Sequence, residues 1–226
     1  MKAIILAAGM GSRLGNGDTP KPMTLLSNGK SILQQQLENL SAYVNEIVVV
    51  VGYRKELIEE AYPHLVYVEN PQFAEENTSK SLLRALEKVQ GDVMWLNGDV
   101  VFRSEILKKV VSCDGSGMVV NVGQVGDEEV KYRTDERGLI VEVSKRVREA
   151  EGEALGINIF RSGDLDCLRE ALSECSAGDY FEKGVQSCID RGVAVTALEV
   201  GLDECCEVDF PEDLERANAL ISQWVS

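Results

Sequence analysis

Residues 1–23 read MKAIILAAGMGSRLGNGDTPKPM, a short apolar run that opens into a loop with glycines at 9, 11, 15 and 17. Arg13 and Lys21 stand in that loop. Glycines let backbone N–H groups approach a ligand closely, and two cations neutralise charge, so the segment is suited to an anion and most naturally to a polyphosphate. A second chemical group stands in DVMWLNGDVVF, where Asp99 follows an apolar run that reads as a strand. In open α/β sheets ligands bind at the carboxyl edge of the strands, which is where Asp99 is expected. Taken by itself, Asp99 could equally cap a helix beginning near Ser104. The single histidine, His64, lies in AYPHLVYVE and is expected at the start of a strand. Chemistry that needs two histidines is excluded.

Three phosphate loops compete for the opening segment. Gly29-Lys30-Ser31 mimics the end of a Walker A loop, but position 24 is Thr24 where the first glycine would stand, and no strand precedes it. Gly9 and Gly11 begin a dinucleotide fingerprint, but position 14 is Leu14 and the loop runs on to Lys21. A dinucleotide fold would not ask for the arginine and the lysine that this loop keeps.

The elements that must position these groups alternate. KAIIL and EIVVVVG read as fully buried strands of a parallel sheet. SILQQQLENLSAY, with Ser31 as N-cap, RKELIEEAY and TSKSLLRALEKV read as helices. HLVYVEN reads as a third strand, and DVMWLNGDVVF as a fourth that is interrupted by Asn97-Gly98-Asp99. After residue 112 the rhythm changes: GMVVNVG, EVKYRTD, LIVEVSK and EALGINIF are strands with few helices between them, so part of the sheet is expected to be antiparallel. Helices return at SGDLDCLREALSEC and DYFEKGVQSCID, and a last one begins at Pro211. The fold expected is α/β, Rossmann-like and doubly wound, with a mixed, mostly parallel sheet flanked by helices. One domain spanning 1–226 is expected, with a nucleotide-binding half at 1–112 and an acceptor-binding half at 113–226.

With 226 residues the chain can bury one sizeable core. Its net charge of −15 argues against nucleic acid and against an anionic membrane surface, because no basic stripe offsets it. No apolar stretch reaches the ~18 residues of a membrane span, and no signal peptide is evident. Six cysteines without a CxxC pair read as reduced thiols, which points to a cytoplasmic setting.

LAAGMGSRL…TPKPM resembles the N-terminal signature of nucleotidyltransferases that activate sugar phosphates and small phospho-alcohols. VVGYRKELI, ENTSKSLLRAL, LNGDVVF and EVDFPEDLERA follow in the family's order, so the resemblance spans nearly the whole chain. It is closest to bacterial CTP:phosphocholine cytidylyltransferases. The resemblance implies Mg²⁺ as cofactor, held by Asp99 and Asp209, and catalytic roles for Arg13, Lys21 and Asp99. It implies a nucleoside triphosphate, CTP above the others, bound by Leu6, Ala7, Ala8, Gly9, Gly11, Ser12, Arg13, Lys21, Asn77, Thr78 and Ser81. Asn77 could instead cap the helix that follows it, and Asp209 could cap the helix at Pro211. Lys145 and Glu153 match acceptor-binding positions, though each also reads as an ordinary polar residue beside a strand. The partner is then a small phosphorylated acceptor, and a homodimer is compatible with the family. A choline head is held by ring faces, and this chain has only 6% aromatic residues, so polyol phosphates, sugar 1-phosphates and amines stay open beside phosphocholine. The implied reaction joins the acceptor phosphate to a CMP group and releases pyrophosphate. A sugar-1-phosphate uridylyl- or thymidylyltransferase, or a non-catalytic nucleotide sensor of the same fold, is the alternative.

Overall fold

The computed structural model describes residues 1–15 and 17–224, with Ser12 described in its backbone only. The first half runs β1 (Lys2–Ala7), α1 (Ile32–Leu40), β2 (Glu46–Val51), α2 (Lys55–Ala61), β3 (Val66–Glu69), α3 (Thr78–Leu86), β4 (Val93–Asn97), β5 (Val100–Phe102) and α4 (Ile106–Val111). The second half runs β6 (Ser116–Val120), β7 (Lys131–Thr134), β8 (Ile140–Ser144), β9 (Gly152–Phe160), α5 (Leu165–Glu174), α6 (Phe181–Asp190), β10 (Val195–Glu199), β11 (Cys205–Glu207) and α7 (Pro211–Trp224).

The main sheet has the order β10-β6-β9-β4-β1-β2-β3, with β7 and β8 attached to β9. β1 pairs in parallel with β2 and β4, β2 with β3, and β6 with β10. β9 runs antiparallel to both β4 and β6, which is the reversal expected of the second half. The sheet therefore continues without a break from the first half into the second. Ile4, Ile5, Val49, Val50, Val93 and Trp95 are fully buried, as strands covered on both faces require.

Helices α3, α5 and α6 cover one face, around Leu82, Leu168, Phe181 and Val185. α1, α2 and α4 cover the other, around Leu33, Leu40, Ile58 and Leu107. Trp95 and Phe160 pack with ring centres 5.3 Å apart, and Phe181 meets Trp95 edge-on at 5.6 Å. Ser31 caps α1 as expected: its hydroxyl accepts from the Gln34 N–H at 3.0 Å.

Two readings need correction. DVMWLNGDVVF is two strands in different sheets: β4 ends at Asn97, and β5 pairs antiparallel with β11. Gly98 makes the break, packed so closely that a Cβ there would lie 2.7 Å from the Leu6 carbonyl oxygen and 2.9 Å from Pro22 Cγ. His64 lies in the turn before β3, not in the strand. Pro63 fixes that turn.

Candidate active site

The carboxyl ends of β1 and β4 lie side by side, with Leu6 opposite Asn97. After β1 the chain continues to β2 on one side, while β4 flanks it on the other, so the crevice beyond these two strands is a point where the winding reverses. A cavity of about 420 Å³ opens there. Its walls include Leu6, Ala7, Gly9 and Gly11 from the first loop and Asn97 to Asp99 from the β4–β5 turn.

Lys21 is the centre of the site. Its Nζ donates to Asp99 Oδ2 at 2.8 Å and to Asp209 Oδ1. The side chain is 11% exposed, against 21% for Asp99 and 38% for Asp209. Burial alone would lower the Lys21 pKa, but the Asp99 charge and the hydrogen bonds to both aspartates outweigh it and hold the ammonium protonated well above its ordinary range. Gly11, at φ +59°, gives the lysine its room: a Cβ at that position would lie 2.8 Å from Lys21 Cβ. Asp99 Oδ1 is buried and has no hydrogen-bond partner among the described residues. A free buried carboxylate oxygen beside a second aspartate is a hard, oxygen-only donor set, so the residues present fit a divalent cation of the Mg²⁺ type.

Glu207 lies beneath this pair and was not singled out in the sequence. The alternation in CCEVD carries the signal, because residues two apart in an extended chain share a face and Glu207 stands two before Asp209. Asn97 Nδ2 donates to Glu207 Oε1 at 3.2 Å. Burial, then the charges of Asp99, Glu153 and Asp209, push the Glu207 carboxyl well above the usual range. Gly156 makes room for this contact. It has φ +63°, and a Cβ would meet Glu207 Oε1 and lie 2.6 Å from Asn97 Nδ2. Gly156→Ala is therefore expected to cost about 1–3 kcal/mol of stability through overpacking. An unchanged midpoint in urea denaturation would show that the contact is slack.

Arg13 is half exposed, 3.5 Å from Glu128 Oε2 and stacked 5.8 Å over the Phe210 ring. Lys145 Nζ lies 3.5 Å from the same carboxylate oxygen and 5.2 Å from the centre of the Tyr180 ring. Glu153 lines the cavity and accepts from Asn121 Nδ2 at 3.2 Å; burial raises its pKa. The expected residues Leu6, Ala7, Gly9, Gly11, Arg13, Lys21, Thr78, Asp99, Lys145, Glu153 and Asp209 thus share one cavity.

Three others do not line it. Asn77 caps α3, its Oδ1 accepting from the Thr78 N–H at 2.8 Å. Ser81 is 5% exposed and accepts from Asn70 Nδ2 at 3.0 Å. Ala8 is 4% exposed and its carbonyl accepts from the Tyr53 N–H. The side chain of Ser12 lies outside the described residues. Thr78 stands on the wall, and its Oγ1 accepts from the Phe181 N–H at 3.1 Å.

Glu182 was also missed. It is 6% exposed, lines the cavity, and its Oε2 has no hydrogen-bond partner among the described residues. Burial raises its pKa to about 7, against a smaller lowering by its own backbone N–H and by Lys145. The fold favours the protonated form, so this residue's contribution is complete below about pH 4.5 and is lost as pH rises through about 7. Glu182→Gln is expected to be more stable than the parent at pH 8, by about 2–3 kcal/mol, and close to it at pH 4.5. Melting curves at the two pH values test this, and equal gains at both would contradict it.

The sequence profile of the MobA-like NTP transferase domain matches residues 3–182. The chain belongs to that family. Among relatives, it is 36% identical over 128 residues to the CMP-5'-(3-aminopropyl)phosphonate synthase of Streptomyces rubellomurinus, a match to 53% of this chain and 20% of the relative. It is 29% identical over 168 residues to the bifunctional protein GlmU of Methanococcus maripaludis, covering 72% of this chain and 39% of the relative. It is 32% identical over 153 residues to the 2-aminoethylphosphonate cytidylyltransferase of Lancefieldella rimae, covering 56% of this chain and 62% of the relative. The matched stretches thus span less than two thirds of each relative's length.

Two solved structures share the family member's fold. The inositol-1-phosphate CTP transferase from T. maritima superposes with a TM-score of 0.80 at 23% identity, over 97% of this chain and 95% of that one. The CTP:phosphocholine cytidylyltransferase of Streptococcus pneumoniae gives 0.79 at 20% identity, over 97% and 98%. The resemblance carried by LAAGMGSRL…TPKPM and LNGDVVF is borne out at the level of family and fold. No helix among the described residues is long and apolar enough to cross a membrane.

Proposed function

We propose that this domain is a nucleotidyltransferase that joins the CMP part of CTP to a small phosphorylated or phosphonylated acceptor and releases pyrophosphate. The observation that carries the reading is Lys21 held between Asp99 and Asp209, facing a glycine-rich loop at the carboxyl edge of β1 and β4. Relatives named for a CMP-linked aminopropylphosphonate and for 2-aminoethylphosphonate cytidylyl transfer support CTP as the donor. The alternative of a non-catalytic sensor fits less well, because the anion loop, its cations and both aspartates stand together.

In this reading the Gly9–Gly11 backbone and Arg13 bind the triphosphate, the arginine fork orienting oxygens while the Lys21 ammonium neutralises charge. The Leu6–Gly9 edge and Thr78 lie along the base and ribose. Lys145 holds the acceptor's phosphate or phosphonate, whose oxygen attacks the α-phosphorus as the bond to pyrophosphate breaks. That nucleophile is already an anion and needs no general base, which agrees with a site that offers no histidine. Asp99 and Asp209 would hold Mg²⁺, which supplies charge neutralisation at the transferring phosphate. Residues 1–112 then carry most of the nucleotide side and residues 113–226 most of the acceptor side, with Asp209 returning to the shared centre. The six cysteines are free thiols, which supports a reducing, cytoplasmic setting.

The test is a matrix of four nucleoside triphosphates against aminoalkyl, polyol and sugar phosphates with pyrophosphate as readout. CTP is expected to give the signal. Background release with every pair would refute transfer, and UTP with a hexose 1-phosphate as the best pair would refute the cytidylyl assignment.

A further inference from the structure

Among the described residues, carboxyl side chains around the cavity outnumber cationic ones eight to four. Assigning Asp99 and Asp209 to a metal leaves six of these carboxyls on the walls. One of them, Glu182, is almost fully buried on α6 with a carboxylate oxygen that lacks any donor among the described residues. A buried acceptor atom without a partner is costly, and ligand-binding walls are where such costs are carried. The same wall shows what kind of group it accommodates: Lys145 brings an ammonium over the Tyr180 face, beside Glu128.

We propose that Glu182, together with the Tyr180 ring and Glu128, binds the amino end of the acceptor, and that the acceptor is a short aminoalkyl phosphate or phosphonate with a primary ammonium. This rests on the nucleotidyl-transfer reading above. Lys145 engages the acceptor's anionic end, and the acceptor's own ammonium takes the place beside Tyr180 and Glu182. A primary ammonium donates three N–H bonds, one of which satisfies the lone Glu182 oxygen. A trimethylammonium has no N–H to give, and it wants several ring faces. Here Tyr180 offers one, and Phe210 lies under Arg13. A hydroxyl could donate one hydrogen bond, but only a cation also favours the ionised form of a carboxyl that burial otherwise keeps protonated.

The experiment compares the parent and Glu182→Gln with CTP, Mg²⁺ and three acceptors: 2-aminoethyl phosphate, 2-hydroxyethyl phosphate and phosphocholine. The parent is expected to prefer the aminoethyl over the hydroxyethyl acceptor by on the order of 10²-fold in kcat/KM. Glu182→Gln is expected to collapse that ratio, mainly through KM for the amino acceptor. Equal use of the two acceptors by the parent, a preference for phosphocholine, or a ratio that survives in Glu182→Gln would overturn the assignment. Calorimetric titration of the same acceptors into the parent, with a non-hydrolysable CTP analogue present, separates the two levels. If no pair releases pyrophosphate, the transfer reading fails, and the binding order decides the pocket by itself: tighter 2-aminoethyl phosphate supports it, and equal binding overturns it.

Discussion

Asp99→Asn is expected to lower turnover by about 10²–10³-fold while the protein stays folded. The substitution keeps the side chain's shape and removes the charge that Lys21 and a divalent cation both need. Its position is fixed from outside: Gly98 donates its N–H to the Leu6 carbonyl at 2.9 Å and is pressed between β1 and Pro22. Backbone rearrangement therefore offers no route to recover the geometry. Lys21 would still pair with Asp209, so the core of the site keeps one of its two ion pairs. The measurement is pyrophosphate release beside a circular-dichroism melt. Activity within tenfold of the parent, with an unchanged melt, would remove Asp99 from the catalytic centre.

The parts of this site that could be read from sequence are those set by local pattern. KAIIL followed by glycines is a buried strand running into a loop, and burial of Ala3 to Ala7 matches it. Asn77 before Thr78 could be read as a helix cap, and that is how its side chain is used. Pairings across the chain could not be read this way. Lys21 meets partners 78 and 188 residues away, and no periodicity announces which carboxylates it will find. Glu207 reaches the floor of the site only because β11 pairs with β5, opposite Val100, and that pairing depends on β5 having left the main sheet at Gly98. Glu182 was hidden for another reason. A glutamate in the first turn of a helix ordinarily faces solvent and favours the helix dipole, so its burial here comes from tertiary packing that overrides the local preference.

Lys21→Met is expected to move three readouts in different directions. Without metal, Asp99 and Asp209 lose the ammonium that joins them and are left to repel one another. Removing one partner from a buried pair costs about 3–5 kcal/mol, and the partial exposure of Asp209 reduces that to about 2–4 kcal/mol here. The melting temperature in EDTA should fall accordingly. Methionine keeps the length of the chain against Gly11, so the loss is one of charge and not of packing. The apparent affinity for Mg²⁺ should rise, by about tenfold, because the ammonium no longer competes for the two carboxylates, and Mg²⁺, binding the folded state alone, should then raise the melting temperature more than in the parent. Turnover should nonetheless fall by at least about 10²-fold, since the triphosphate has lost the cation that neutralises it. A thermal-shift titration with Mg²⁺ after EDTA, run beside the pyrophosphate assay, reads all three. A variant that melts like the parent in EDTA and gains nothing more from Mg²⁺ would show that Lys21 is a bystander to the two aspartates, and a variant with full turnover would show that it is not the triphosphate's cation.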